Sequence, residues 1–155
     1  MSFSRPTIDL LAPPSDFDAA IDWFERVSYH LVLLEEYPLP DVRRAIDAFD
    51  RAVRDHLRTF SARLAPEGPS PAPPSDAVST LRSDHAWFRI SLDQLEWSYR
   101  IVEGEDHGGH RQALGQYGRV FAEALRRHRK DEVNYLTPTS GSAMLPPFDT
   151  PPKKP

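Results

Sequence analysis

Residues 75–103, SDAVSTLRSDHAWFRISLDQLEWSYRIVE, decide the fold. Val78, Leu81, His85, Phe88, Leu92, Leu95, Tyr99 and Val102 recur in it at alternating three- and four-residue steps. That spacing is one face of a helix packed against other helices. Ser75 and Asp76 supply the N-cap, and Gly104, Gly108 and Gly109 mark the turn after it. Working outward, the same spacing appears three more times. Toward the C-terminus it runs through Leu114, Gly118, Phe121, Leu125, His128, Glu132 and Tyr135, and Pro138 stops it. Toward the N-terminus, a linker rich in proline over 65–74 precedes the third helix. Before it, Val42, Ile46, Phe49, Val53, His56 and Phe60 form a second-helix stripe. Pro38-Leu39-Pro40 separates that helix from a first one, capped by Ser15. The first helix is apolar on more than one face, with one stripe through Ala20, Trp23, Val27, His30, Leu34 and Tyr37. No segment alternates with period two, so no sheet is expected. The expectation is an all-α, antiparallel, up-down-up-down four-helix bundle over 15–138, with helices near 16–37, 41–64, 75–103 and 109–136. Residues 1–14 read as an irregular leader and 139–155 as a flexible, proline-rich tail.

Composition narrows the function. The 155 residues suffice for one domain with its own core. The 16 prolines cluster at the ends and between the stripes, so they punctuate the helices rather than break them. A net charge of -4 disfavours general nucleic-acid binding, which needs a basic surface. There is no cysteine, so neither disulfide nor thiolate ligand is available, in keeping with a reducing compartment. No stretch reaches the roughly 20 apolar residues of a membrane span, and none resembles a signal peptide. A cytoplasmic location is expected.

Each stripe carries one histidine, and their depths can be compared using the rise of ~1.5 Å per residue. His85 is 18 residues before Glu103, and His128 is 19 after Gly109, so these two are level. His56 is 8 residues before Leu64 and His85 is 10 after Ser75, nearly level again. Glu132 is one turn beyond His128 on the same face. Three imidazoles and one carboxylate thus share a layer, and an unpaired carboxylate there would be costly. A divalent ion satisfies all four, and nitrogen and oxygen donors without sulfur suit iron, manganese or zinc. A core histidine hydrogen-bonded to a neighbour is the plain alternative for any one of them. His30 is 7 residues before Tyr37, whereas His56 is 15 after Asp41, a mismatch of about 12 Å. His30 is therefore a doubtful ligand, and Trp23 stands nearer the level of His56.

The motifs around these residues resemble the hemerythrin-like family of cation-binding bundles. Val53-Arg54-Asp55-His56-Leu57-Arg58 is similar to the second-helix motif up to its histidine, and Leu81-Arg82-Ser83-Asp84-His85-Ala86-Trp87-Phe88 to the third-helix motif. His128-Arg129-Lys130-Asp131-Glu132 followed by Leu136-Thr137-Pro138 resembles the fourth-helix His-x-x-x-Glu motif with its exit. Leu64 and Pro66 repeat that exit after His56, so the chain reads as two related helical hairpins over about 16–138. The resemblance implies a non-haem metal site, with dioxygen as a small ligand and two irons in the complete form. Here Phe60 stands where the second-helix motif has glutamate, and Trp23 where a first-helix ligand is expected. Two bulky aromatics would close the second metal's side.

Two readings follow. One is a metal-binding protein for iron or oxygen sensing or handling, holding a single ion through His56, His85, His128 and Glu132. That ion is iron, with zinc or manganese as alternatives. The other is a metal-free bundle acting as a structural or interaction module, with its proline-rich ends docking a protein partner. Neither is an enzyme, and no catalytic serine or cysteine set or phosphate-binding loop appears. Arg126, Arg127, Arg129 and Lys130 read as a solvated basic face, and Arg82, Asp84, Arg89 and Asp93 as surface charge. Gly115 and Gly118 weaken a helix by about 1 kcal/mol each, which suits a close approach to another helix.

Overall fold

Asp16, rather than Ser15, starts the first helix: its Oδ2 accepts the Ala19 amide N–H at 2.9 Å. In the computed structural model, which describes residues 13–63 and 76–136, four helices follow in order. They are α1 (Phe17–Val32), α2 (Leu39–Arg63), α3 (Asp76–Gly104) and α4 (Gly108–Leu136). No strand occurs among the described residues. The expectations for residues 1–12, for the linker at 65–74, for the Ser75 cap, for the Pro138 stop and for the tail at 139–155 fall outside those described.

α1 is shorter than its apolar pattern suggests. It ends at Val32, five residues before Tyr37, because Leu34 takes a left-handed conformation, φ 59°. The Leu34 and Glu35 amides then donate back to the Leu31 and His30 carbonyls, which closes the helix end. α2 begins at Leu39, two residues before the expected Asp41, with Pro40 in its first turn. Proline is tolerated there because first-turn amides have no helical acceptor. The Asp41 and Val42 amides donate to the Pro38 carbonyl. At the start of α4, His107 Nδ1 accepts the Gly109 and His110 amides at 3.0 and 3.3 Å, an imidazole serving as a cap.

The helices form a ring in which α1 and α3 each pack on α2 and α4. Phe24 stacks on Phe49 with centroids 3.8 Å apart, and Phe49 meets Phe121 edge-on at 5.7 Å. Leu92, Leu95, Val102, Leu114 and Leu125 belong to the same buried core. α1 and α4 approach most closely at Gly115 and Gly118. A Cβ on Gly115 would stand 2.5 Å from the Ser28 carbonyl oxygen, so nothing larger than glycine fits there without movement. Arg111 joins the two turns at that end, donating to the Tyr37 carbonyl at 2.6 Å and to both oxygens of Asp106. No helix among the described residues is long and apolar enough to cross a membrane.

Candidate metal centre

About 25 Å along α2 from its start, 17 residues on from Leu39, the polar members of three stripes meet. His56 comes from α2, His85 from α3, and His128 and Glu132 from successive turns of α4. Glu132 is fully buried, and His85 and His128 are each 2% exposed. One carboxylate oxygen, Glu132 Oε1, lies 2.9 Å from His56 Nε2, 2.8 Å from His128 Nε2 and 3.4 Å from His85 Nε2. His85 Nε2 and His128 Nε2 are 3.0 Å apart. His56, His128 and Glu132 each offer a ligand atom within 4.8 Å of the others.

The outward-facing ring nitrogens are held as well. His128 Nδ1 donates to Asp84 Oδ2 at 2.9 Å. An ionised carboxylate only accepts, so Nδ1 carries a proton; with Nε2 also protonated the imidazolium donates to Glu132 Oε1, and with Nε2 deprotonated its lone pair is free for a metal ion. His85 Nδ1 lies 3.0 Å from Ser61 Oγ, one turn along α2 from Leu57. The remaining carboxylate oxygen, Glu132 Oε2, accepts from Arg129 at 3.1 Å, and Arg129 is held in turn by Asp18 of α1 at 2.9 Å.

Electrostatics follow from this packing. Burial alone would raise the Glu132 carboxyl, but hydrogen bonds from His128, His56 and His85 outweigh it and hold the group well below the usual carboxylate range. Burial pulls the His128 imidazole down, while Glu132 and Asp84 together push it above its ordinary value. The donor set fits a divalent ion. Ligands of a tetrahedral site with bonds of ~2.0–2.1 Å stand about 3.3 Å from one another. Glu132 Oε1 stands 2.8–3.4 Å from the three Nε2 atoms, and His56, His128 and Glu132 are the three whose ligand atoms all lie within 4.8 Å of one another, with His85 outside that group. The carboxylate–histidine pair Asp84–His128 is the kind of outer contact that fixes a metal-binding imidazole.

His30 is not part of this cluster. It sits at the other end of α1 with Nδ1 2.6 Å from Glu35 Oε2 and its ring against Tyr37. Phe60 packs on both His56 and His85, with centroids 5.9 and 5.7 Å away. Trp23 does not take the place expected of it: the first-helix ring stacked on His56 is Phe17, 4.0 Å away and tilted by 7°. The cause is the early end of α1. Counting depth from Val32 and Leu39 instead of Tyr37 and Asp41 moves the partner of His56 toward the N-terminus by about two turns. Trp23 belongs to the main apolar core.

Three polar residues of the cluster carry no signal in the apolar pattern. Asp84, Ser61 and Arg129 lie beside stripes rather than in them. Arg129 stands three residues before Glu132, the spacing of neighbours on one helix face, but as one member of a basic run it carries no mark of that contact. In the basic run on α4, Arg126, Arg127 and Lys130 are exposed as a solvated face would be, while Arg126 also pairs with Asp22 and Glu25, and the half-buried Arg129 pairs with Asp18. A groove of about 330 Å³ between α3 and α4, lined by Asp84, Trp87, Phe88, Ala124 and Arg127, reaches His128 from outside. A larger cleft, about 750 Å³, lies at the opposite end between the two turns.

Glu105, His107 and His110 form a second group of ligand atoms within 4.8 Å. They sit at the α3–α4 turn, with Glu105 and His107 exposed. His107 Nδ1 is already the acceptor of two amides, and His110 Nδ1 donates to the Glu105 carbonyl at 2.7 Å. This group is a helix cap, and both its Nδ1 atoms are committed to backbone.

Among the described residues the chain is thus all-helical, four helices packed in a ring around a His–His–His–Glu cluster of which His85, His128 and Glu132 are buried. No protein-family model, no curated protein and no solved structure matches it.

Proposed function

We propose that the chain is a hemerythrin-like, non-haem metal-binding protein that holds one divalent ion through the Nε2 atoms of His56, His85 and His128 and Oε1 of Glu132. The observation that carries this reading is the convergence of three Nε2 atoms from three helices on one buried carboxylate oxygen. The outer nitrogens of two of these rings are engaged by Asp84 and Ser61. The antiparallel, up-down-up-down arrangement of that family is supported by the pairing of Phe17 with His56 and Phe24 with Phe49, and of Ser61 with His85 and Arg43 with Glu96. Iron is the favoured ion, with zinc and manganese as alternatives, since all three accept nitrogen and oxygen donors. When bound, iron supplies redox chemistry and affinity for small ligands such as dioxygen. The chain's own residues bind, orient and shield: Asp84 and Ser61 orient two rings, and Phe17 and Phe60 cover His56. A role in iron or oxygen sensing or handling, rather than catalysis, suits a site so enclosed.

A metal-free interaction module is the second reading, and one observation favours it. No buried side-chain nitrogen or oxygen among the described residues lacks a hydrogen-bond partner, so the cluster satisfies itself. The two readings separate on metal content. Protein purified from iron- or zinc-supplemented cells should carry about one ion per chain, and His128→Ala should lose it. Negligible metal in both would reject the metal site and leave the module. Equal, full occupancy in both would place the ion elsewhere.

A further inference from the structure

We propose that the Arg129 guanidinium stands in the place of a second cation and so limits the centre to a single metal ion. This rests on the metal-binding reading above. A carboxylate that bridges two metal ions gives one oxygen to each, and paired ions sit about 3.5–4 Å apart. Carboxylate-bridged pairs of this kind are a recurrent device of four-helix bundles. Glu132 has its two oxygens divided in this way. Oε1 faces the three Nε2 atoms at 2.8–3.4 Å, and Oε2 faces Arg129 at 3.1 Å. The positive charge on the second oxygen is therefore built into the chain.

Its surroundings are built to keep it there. Asp18, in the first turn of α1, accepts from Arg129 Nε at 2.9 Å and fixes the guanidinium over Oε2. Beside His56, Phe17 and Phe60 lie against the imidazole at 4.0 and 5.9 Å and offer no donor atom to a further ion. Charge closes as well. One divalent ion and Arg129 together balance three carboxylates, Glu132, Asp84 and Asp18. A second divalent ion beside Arg129 would leave two charges in excess, and the excess would bear most on the fully buried Glu132, since Asp18 and Asp84 at the edge are 54% and 36% exposed.

Removing the guanidinium frees Glu132 Oε2 and Asp18 as oxygen donors, and Phe60→Glu adds a third. The test is titration of the metal-free protein with Co2+ at equilibrium, reading equivalents bound and the visible absorption of the ion. Wild type, Phe60→Glu, Arg129→Ala, the Phe60→Glu/Arg129→Ala double variant and Phe60→Glu/Arg129→Lys are compared. Circular dichroism confirms that each is helical, and Phe60→Glu/Arg129→Gln replaces the alanine double if that one does not fold. About two equivalents are expected only where the cation is lost and the carboxylate added. Wild type, Phe60→Glu and the lysine double should stop at about one. A folded double variant that also stops at one overturns the proposal while leaving the metal site intact. So does Phe60→Glu alone binding two with Arg129 in place. No Co2+ bound by wild type overturns the metal reading itself, and this proposal with it.

Discussion

Glu132 and Glu96 show how the surroundings of a carboxylate set its worth. Glu132 is fully enclosed, and ionising it there costs several kcal/mol that only the three imidazoles and Arg129 offset. It is a centre of specificity, since any one partner's loss leaves a buried charge short of its bonds. Glu96 sits at the rim, 31% exposed, and accepts two bonds from Arg43 at 2.7 and 2.8 Å and one from Arg100. Those bonds, Arg43's first, hold its carboxyl below the usual range despite partial burial. A carboxyl lowered on folding stabilises the protein above its unfolded-state value, and that contribution disappears as pH falls through its folded value. Glu96→Gln should therefore cost about 0.5–1 kcal/mol near neutral pH, the scale of a well-formed exposed pair. Urea denaturation of both proteins across the acid range should show their stabilities converging below pH ~4. A gap that stays constant into acid would show that the side chain acts through packing, not charge.

At the scale of elements, the end of α1 has the widest consequences. Leu34 holds a left-handed backbone conformation that costs an L-residue roughly 1–2 kcal/mol and that glycine adopts freely. Leu34 is 53% exposed, so replacing it removes little buried surface. Leu34→Gly should then raise stability by up to about 1 kcal/mol after the added freedom of the unfolded chain is subtracted. Thermal or urea unfolding that shows a loss instead would mean that the contacts of Leu34 near Gly108 outweigh its strain. The same residue explains what could be read from sequence and what could not. Four stripes with proline and glycine between them made the helices legible, α2, α3 and α4 to within about two residues, because period and breakers are local signals. A helix that stops at a leucine without glycine or proline leaves no local mark, so α1 seemed to reach Tyr37. That error moved the level of His56 from Phe17 to Trp23. His56, His85, His128 and Glu132 were legible as one layer because their depths depend on ends that were nearly right. Asp84, Ser61 and Arg129 were not, since a polar residue beside a stripe looks the same whether it faces water or an imidazole.

Across the whole molecule, the cluster is the place where all four helices are joined by polar contacts. His56, His85 and Glu132 connect α2, α3 and α4 directly, and α1 enters through Asp18–Arg129 and Phe17. It lies near the C-terminal end of α2 and the N-terminal end of α3, the end of the bundle away from the Arg111 clasp. Elsewhere the polar links join helices two at a time, as Arg43–Glu96 joins α2 to α3 and Arg126–Asp22 joins α1 to α4, around an apolar core that tolerates small shifts. An ion at the centre would bind only when three helices are in register, so its binding free energy adds to the stability of the folded state. The gain is RT ln(1 + [L]/Kd), about 2.7 kcal/mol at a free-ion concentration 100 times Kd. For a chain of this size that corresponds to a rise in Tm of about 5–10 °C. Tm should therefore climb with the logarithm of free Zn2+ in wild type and stay flat in His56→Ala, which keeps the core stripe but removes the α2 ligand. Hydrogen exchange should show the added protection in the last turns of α2 and the first of α3, where the ion ties together ends that otherwise fray. An equal rise in His56→Ala, with protection centred on residues 105–110, would instead assign the ion to the Glu105–His107–His110 turn.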